Sequence, residues 1–358
     1  MIFKSKYFMF IVVICILFSI TAVSADSVSN QTDVLESDVD LQSGIDLNQD
    51  VSGDGQNEKL EDATYKSYDD FCEDIKDRTD SFNIESNYKY DESDVEMQLK
   101  INQSNIVING NNHIIDGSNK AQGFIFACEN SNITINDLTF INCNQSIFIS
   151  GKLTLNNVNF TNNFVNSSEK SVGIITTDED SNLTLNHCNF NSNFDAYLIS
   201  AFYSDVEIYN SHFCNARNSD APILINRNAL IIENSTFENL SSKYGGVINF
   251  KGDYLSVKNS TFNNTHADFT GGAILGKLFR INADSNNPGA GKRPLREWII
   301  ENCEFVNVSS SHNGGAIYFD FDSGEHGITN TLYISNSNFT DISSGYGGVI
   351  AAQGGILY

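Results

Sequence analysis

One phenylalanine returns eight times with the same neighbours, at Phe140, Phe160, Phe190, Phe213, Phe237, Phe262, Phe305 and Phe339. A repeat of this length restricts a chain to folds that stack one small unit on another, because a single unit cannot bury its own apolar face. The stretch from Leu255 to Ile274, LSVKNSTFNNTHADFTGGAI, is the clearest copy. Five residues before each Phe stand Ile135, Leu155, Leu185, Ile208, Ile232, Val257, Ile300 and Ile334. Seven before stand Ile133, Leu153, Leu183, Val206, Leu230, Leu255, Trp298 and Leu332. These two columns lie two residues apart, the period of a strand with alternate side chains facing one interior.

The polar columns predict the corners. Three residues before the Phe stand Asp137, Asn157, His187, Asn210, Asn234, Asn259, Asn302 and Asn336, and two after it Asn142, Asn162, Ser192, Asn215, Asn239, Asn264, Asn307 and Asp341. Asn tolerates left-handed backbone, and its amide can bond its own main chain or an equivalent amide above. Two before the Phe the column is small or apolar, from Leu138 and Val158 through Cys188, Ser211, Ser235, Ser260 and Cys303 to Ser337, as suits an inward position beside a ring. Four copies then carry a glycine pair, Gly245-Gly246, Gly271-Gly272, Gly314-Gly315 and Gly347-Gly348, before apolar residues that begin another strand. Each copy is thus a circuit of short strands, and stacked circuits set like residues about 4.8 Å apart.

Other stretches are built differently. Lys4 and Lys6, the apolar run from Tyr7 to Ile20 and Val23-Ser24-Ala25 make residues 1–25 a secretory signal peptide, with an uncleaved anchor as the alternative. Residues 26–62 are crowded with acids against Lys59 alone and hold no aromatic residue, the composition of a disordered linker. Residues 63–80 predict an amphipathic helix: Ser67 and Asp70 form a capping pair, and Tyr65, Tyr68, Phe71, Cys72 and Ile75 share a face. Such a helix, placed before a strand stack, is expected to cover the open first circuit. Residues 81–358 supply the stack. Its early strands, at Phe82-Asn83-Ile84, Leu99-Lys100-Ile101, Ile106-Val107-Ile108, Ile114-Ile115 and Phe124-Ile125-Phe126, come without the Phe register. Two insertions, Lys277 to Glu297 and Asp320 to Asn330, are expected to project as loops, the first carrying the basic Lys292, Arg293 and Arg296.

The chain has 45 acidic against 21 basic residues and a formal net charge of −24. That balance excludes nucleic acid, which needs clustered positive charge, and suits cations or basic surfaces. With Cys15 lost in the signal, Cys72, Cys128, Cys143, Cys188, Cys214 and Cys303 remain, with no metal-ligand spacing. An even count in a secreted chain permits disulfides. The placing of Cys188 and Cys303 in an inward column favours buried thiols. N-x-S/T triplets at Asn132, Asn159, Asn182, Asn234, Asn259, Asn307 and Asn338 are acceptors for glycans in a secreted protein, although Asn-rich corners also generate such triplets by composition.

Candidate chemistry is sparse. Hydrolysis or elimination on a polysaccharide needs two nearby carboxylates, or a carboxylate-bound Ca²⁺ with a basic residue. Only the acidic turn Asp178-Glu179-Asp180 and the group Asp320, Asp322, Glu325 and His326 offer a start, and solvated loops explain both. Arg217 and Arg227 stand alone. The sequence therefore nominates no catalytic, cofactor-binding or metal-binding residues.

The pattern L-x-I-x-N-S-x-F-x-N followed by G-G-A-I, best seen in Leu255–Ile274 and Trp298–Ile317, resembles the adhesin-like proteins of methanogenic archaea. The same vocabulary is similar to the repeats of bacterial polymorphic outer-membrane proteins, and Asn109-Gly-Asn-Asn-His-Ile-Ile-Asp-Gly117 after a helix resembles the usual entry of the archaeal chains. The resemblance covers roughly residues 64 to 358. It implies an all-β fold, a right-handed parallel β-helix (solenoid) of the pectin-lyase type with an N-terminal amphipathic capping helix. It also implies a secreted, cell-surface adhesin-like protein without catalysis. Partners would be host or microbial cell-surface glycans or proteins, with membrane contact only through the signal segment. The alternatives are a polysaccharide lyase or glycoside hydrolase of the pectin-lyase type, and a structural wall component or decayed fragment without a ligand. Family members are longer, so the stop at Gly354-Gly355-Ile356-Leu357-Tyr358, partway round a circuit, predicts C-terminal truncation and self-association through the open end.

Overall fold

The computed structural model describes residues 64–76, 78, 80–102, 105–166, 172–193, 197–218, 220–277, 297–321, 331–354 and 356–358, with only the main chain of Lys76 and of 127–130. The expected signal peptide and acidic linker, most of both insertions and the side chain of Cys128 lie outside the described residues. The unit from Lys59 to Tyr358 is all-β: its strands join one long sheet whose pairings are parallel, an arrangement consistent with a β-solenoid. A single helix, α1 (Tyr68–Lys76), occurs among the described residues.

Each repeat supplies three short strands, and each strand pairs with its counterparts one repeat away. Asn182–Asn186 lies between Lys152–Asn156 and Asp205–Tyr209, with Leu183 in register with Leu153 and Val206. The strand after the corner aligns Phe190 with Phe160 and Phe213, and the strand after the glycine pair aligns Ile248 with Ile223 and Ile274. The early circuits join the same ladders. Ser81–Asn83 pairs with Val107–Asn109, Leu99–Ile101 pairs with Phe124–Phe126, and Ile115 occupies the ring position beside Phe140.

The eight phenylalanines stack inside. From Phe140 to Phe339 successive ring centroids are 5.4, 4.5, 4.6, 5.1, 4.9, 4.8 and 4.7 Å apart, with planes within 19° of parallel. The rings from Phe140 to Phe305 have no solvent exposure. Burying one Phe contributes roughly 1.5–3 kcal/mol, and an aligned ring pair adds about 0.5–1.5 kcal/mol. Phe262 and Phe305 remain adjacent although the longer insertion separates them in sequence, so the register of the stack is unshifted across it.

Both polar columns are corners. Every member has a positive φ, between 49° and 56°. Amide-to-amide bonds tie many of them together, such as Asn302 Nδ2 to Asn259 Oδ1 at 3.2 Å and Asn307 Nδ2 to Asn264 Oδ1 at 3.0 Å. The serines two before the ring do more than fill space. The backbone N–H of Ser211 donates to Ser235 Oγ and that of Ser235 to Ser260 Oγ, both at 3.1 Å, while Ser235 and Ser260 donate to the carbonyl two residues back. They satisfy main-chain groups that the corner withdraws from the ladder.

The glycine pair divides two roles. Gly271 is left-handed at φ +67°, as a turn requires, whereas a Cβ on Gly272 would lie 2.1 Å from the carbonyl oxygen of Gly315. The second glycine is therefore fixed by close approach of the next circuit.

Helix α1 begins with the expected capping box: the Asp70 N–H donates to Ser67 Oγ at 3.1 Å, and the Ser67 N–H donates to Asp70 Oδ2 at 3.2 Å. Tyr68, Phe71, Cys72 and Ile75 are buried, with the Phe71 ring 5.5 Å from Phe124 and 5.1 Å from Tyr88. Tyr65 departs from the expected helical face. It lies in a strand, Tyr65–Ser67, that pairs with Asn87–Lys89, and the helix covers less than the 63–80 expected for it. The described cysteines, Cys72, Cys143, Cys188, Cys214 and Cys303, are buried, and none forms a disulfide among the described residues. No helix among the described residues is long and apolar enough to cross a membrane.

Candidate functional site

The outer surface carries a groove of about 600 Å³ where the early circuits depart from the regular repeat. Its floor comes from the strands that follow the glycine-pair position. Phe148, in Ile147–Asn156, is in register with Thr176 of Gly173–Thr177, and Thr176 with Ser200 of the next circuit. Alternation sends Ile149, Thr177 and Ala201 inward and leaves Phe148 partly exposed on the outside. Connections between strands supply Gln122, Asn144, Gln145, Asn166, Asp178, Glu179 and Tyr203 to the lining, and the strand end at Phe202 completes it.

Hydrogen bonds hold several of these side chains in place. Gln145 Nε2 donates to Thr176 Oγ1 at 3.2 Å, and Thr176 Oγ1 also accepts the Gly173 N–H at 2.9 Å. Asn144 Oδ1 accepts the Asn166 N–H at 2.9 Å. The Tyr68 hydroxyl of α1 donates to the Gln122 carbonyl, fixing the main chain there. The side-chain oxygen of Gln122, Oε1, is buried without a hydrogen-bond partner among the described residues. Arg227 lies over the Tyr203 ring, 4.1 Å from its centroid, and stiffens it.

Backbone conformation singles out the same place. Left-handed corners elsewhere are filled mostly by Asn, Asp, Ser and Gly, yet Gln145 (φ 61°), Tyr203 (φ 53°) and Arg227 (φ 73°) are left-handed without that excuse. Each such residue costs about 1–2 kcal/mol in the left-handed region. Strain of this kind persists only where surrounding structure enforces it.

The acids noted in the sequence separate. Asp178 and Glu179 are exposed at the groove, with the Glu179 N–H donating to Asp178 Oδ1 at 2.9 Å, and Asp180 turns the corner at φ 58°. Asp320 ends the strand Ile317–Asp320, where its Oδ1 is buried without a hydrogen-bond partner. Asp322, Glu325 and His326 lie outside the described residues. Five strand steps separate the position of Thr177 from that of Phe319, about 24 Å along the stack, so the two acidic groups form no common centre. Arg217 is exposed opposite Ser241. No group of three or more His, Cys, Asp or Glu able to hold a metal occurs among the described residues.

A second outward feature escaped the column analysis. Seven residues after the last four phenylalanines stand Tyr244, Phe269, His312 and Tyr346; the first three rings stack outside at centroid distances of 5.1 and 5.1 Å, and Tyr346 lies tilted 6.5 Å beyond His312. The Lys243 ammonium lies 5.2 Å from the Tyr244 centroid and 5.4 Å from that of Phe269. Counting forward from each Phe would have found it. A histidine in the column, and Tyr197 and Asp220 at the same place in earlier copies, hid it.

Comparison with protein families, characterised proteins and solved structures gave no match.

Proposed function

We propose that the chain is a secreted, cell-surface adhesin-like protein: a right-handed parallel β-helix, lidded by α1, that presents its outward faces and insertion loops to cells, glycans or other surface proteins without catalysis. The observation that carries this reading is the groove, a concave patch of amides, rings and carboxylates on the outside of a stiff stack. Circuits that touch only their neighbours make a rod, and a rod holds such a patch away from the surface that bears it. The apolar face of α1 against Phe124 supports the lid role.

Two measurements test the reading. Protease treatment of intact producing cells should remove the chain, and purified chain should bind whole cells or their extracted envelopes saturably. A chain retained inside the cell, or one that binds no envelope preparation, would sink it. The second reading, a polysaccharide-active enzyme, is favoured by Asp178 and Glu179 lining the groove. Incubation with acidic and neutral polysaccharides, with and without Ca²⁺, separates the two. Release of oligosaccharides that Asp178→Asn with Glu179→Gln abolishes would establish the enzyme.

A further inference from the structure

We propose that the groove is a binding site for a short stretch of uncharged, hydroxyl-rich glycan, an assignment that rests on the surface-binding reading above and names its ligand. The lining fits that chemistry in three respects. Its amides, Gln122, Asn144 and Gln145, offer both donors and acceptors, which a sugar hydroxyl can meet with one group of each kind. Phe148, Phe202 and Tyr203 provide flat apolar surface for the C–H face of a pyranose ring. Arg227 lies over the Tyr203 ring, 4.1 Å from its centroid, and holds it in place.

Charge narrows the class. Asp178 and Glu179 are the charged side chains among the described lining residues, and the chain as a whole carries −24. Uronate, sialate or phosphorylated glycans would meet like charge at the site and at long range. A peptide is disfavoured for another reason. The floor strands already have parallel partners on both sides, Gly173–Thr177 lying between Ile147–Ile149 and Tyr197–Ala201, so no free strand edge is offered for an added strand.

The left-handed Gln145 and Tyr203 supply the discriminating test. If their side chains are held there for a ligand, replacement by Asn should relieve backbone strain while removing the binding group. The secreted chain is titrated calorimetrically with cellohexaose, mannohexaose and hexagalacturonate at low salt. Expected is binding of a neutral hexasaccharide and none of hexagalacturonate. Tyr203→Asn and Gln145→Asn should each weaken neutral binding about tenfold or more. Their melting temperatures should hold or rise by about 2 °C. Asp178→Asn with Glu179→Gln should admit hexagalacturonate.

Binding of hexagalacturonate by the unaltered chain as tightly as a neutral sugar would overturn the assignment. So would neutral binding indifferent to both Asn variants, or no binding of either neutral hexasaccharide. Envelope binding that survives while the oligosaccharide arms fail leaves the surface reading standing and removes only this one. Loss of both removes both.

Discussion

Single residues set the corners of this molecule. Asn234 is left-handed at φ 52° and exposed, so its contribution is chiefly conformational. Asn234→Ala should destabilise the chain by about 1–2 kcal/mol and Asn234→Gly by less, measured by urea unfolding; equal losses would mean that the side-chain amide, not the backbone, matters. The corner columns were legible because sixteen positions with one backbone demand were filled mostly by one residue type. Burial acts on the cysteines in a similarly local way. It pushes the thiols of Cys143 and Cys188 up to about 12 and that of Cys303 up to about 11. At pH 8 these thiols are protonated in the fold and partly ionised once unfolded. Iodoacetamide should therefore label them at least about a hundredfold faster in urea than in buffer, without added reductant. Masses showing no labelling in unreduced, unfolded chain would reveal disulfides instead.

At the scale of elements, α1 is tied to the turn that follows the first strands. Asp69 accepts the N–H groups of Val95 at 3.0 Å and Glu96 at 2.8 Å, and these bonds hold its carboxyl below the ordinary carboxylate range. Because the folded value lies below the unfolded one, near 3.9, the tie contributes fully above that value and is lost as pH falls through the folded value. The protection of the Val95 and Glu96 amides, their exchange rate relative to an unstructured chain at the same pH, should hold from neutrality to about pH 5 and fall only below about pH 4. Asp69→Asn should lower that protection and remove its pH dependence. The helix was legible through its capping pair and apolar spacing, but Tyr65 was not: the side chain continues the apolar stripe, and only pairing with Asn87–Lys89 makes its backbone a strand. The groove was less legible still. Its residues come from circuits that break the repeat, so no column contains them, and Gln122, Thr176 and Tyr203 meet only through the winding of the chain. The one clue in the residues is negative, a left-handed corner at Gln145 and Tyr203 that lacks the usual Asn.

For the whole molecule, nearest-neighbour stacking means that loops can change without disturbing the paired strands. Other circuits cross from one strand column to the next with two residues, such as Gly252-Asp253 between Lys251 and Tyr254. Replacing 278–296 by Gly-Asp should therefore leave strand content intact by circular dichroism and shift the melting temperature by no more than about 4 °C. Collapse of the fold would show that the insertion holds circuits together. The same variant shows whether envelope binding uses that loop or the groove. The ring stack has a further consequence for how the chain reaches its final form. Each finished turn displays a template for the one after it, so winding can follow synthesis from the amino end, one coil at a time, without waiting for distant segments. A ring lost in mid-stack would then do more than loosen its surroundings: it would stall the winding there and strand everything downstream.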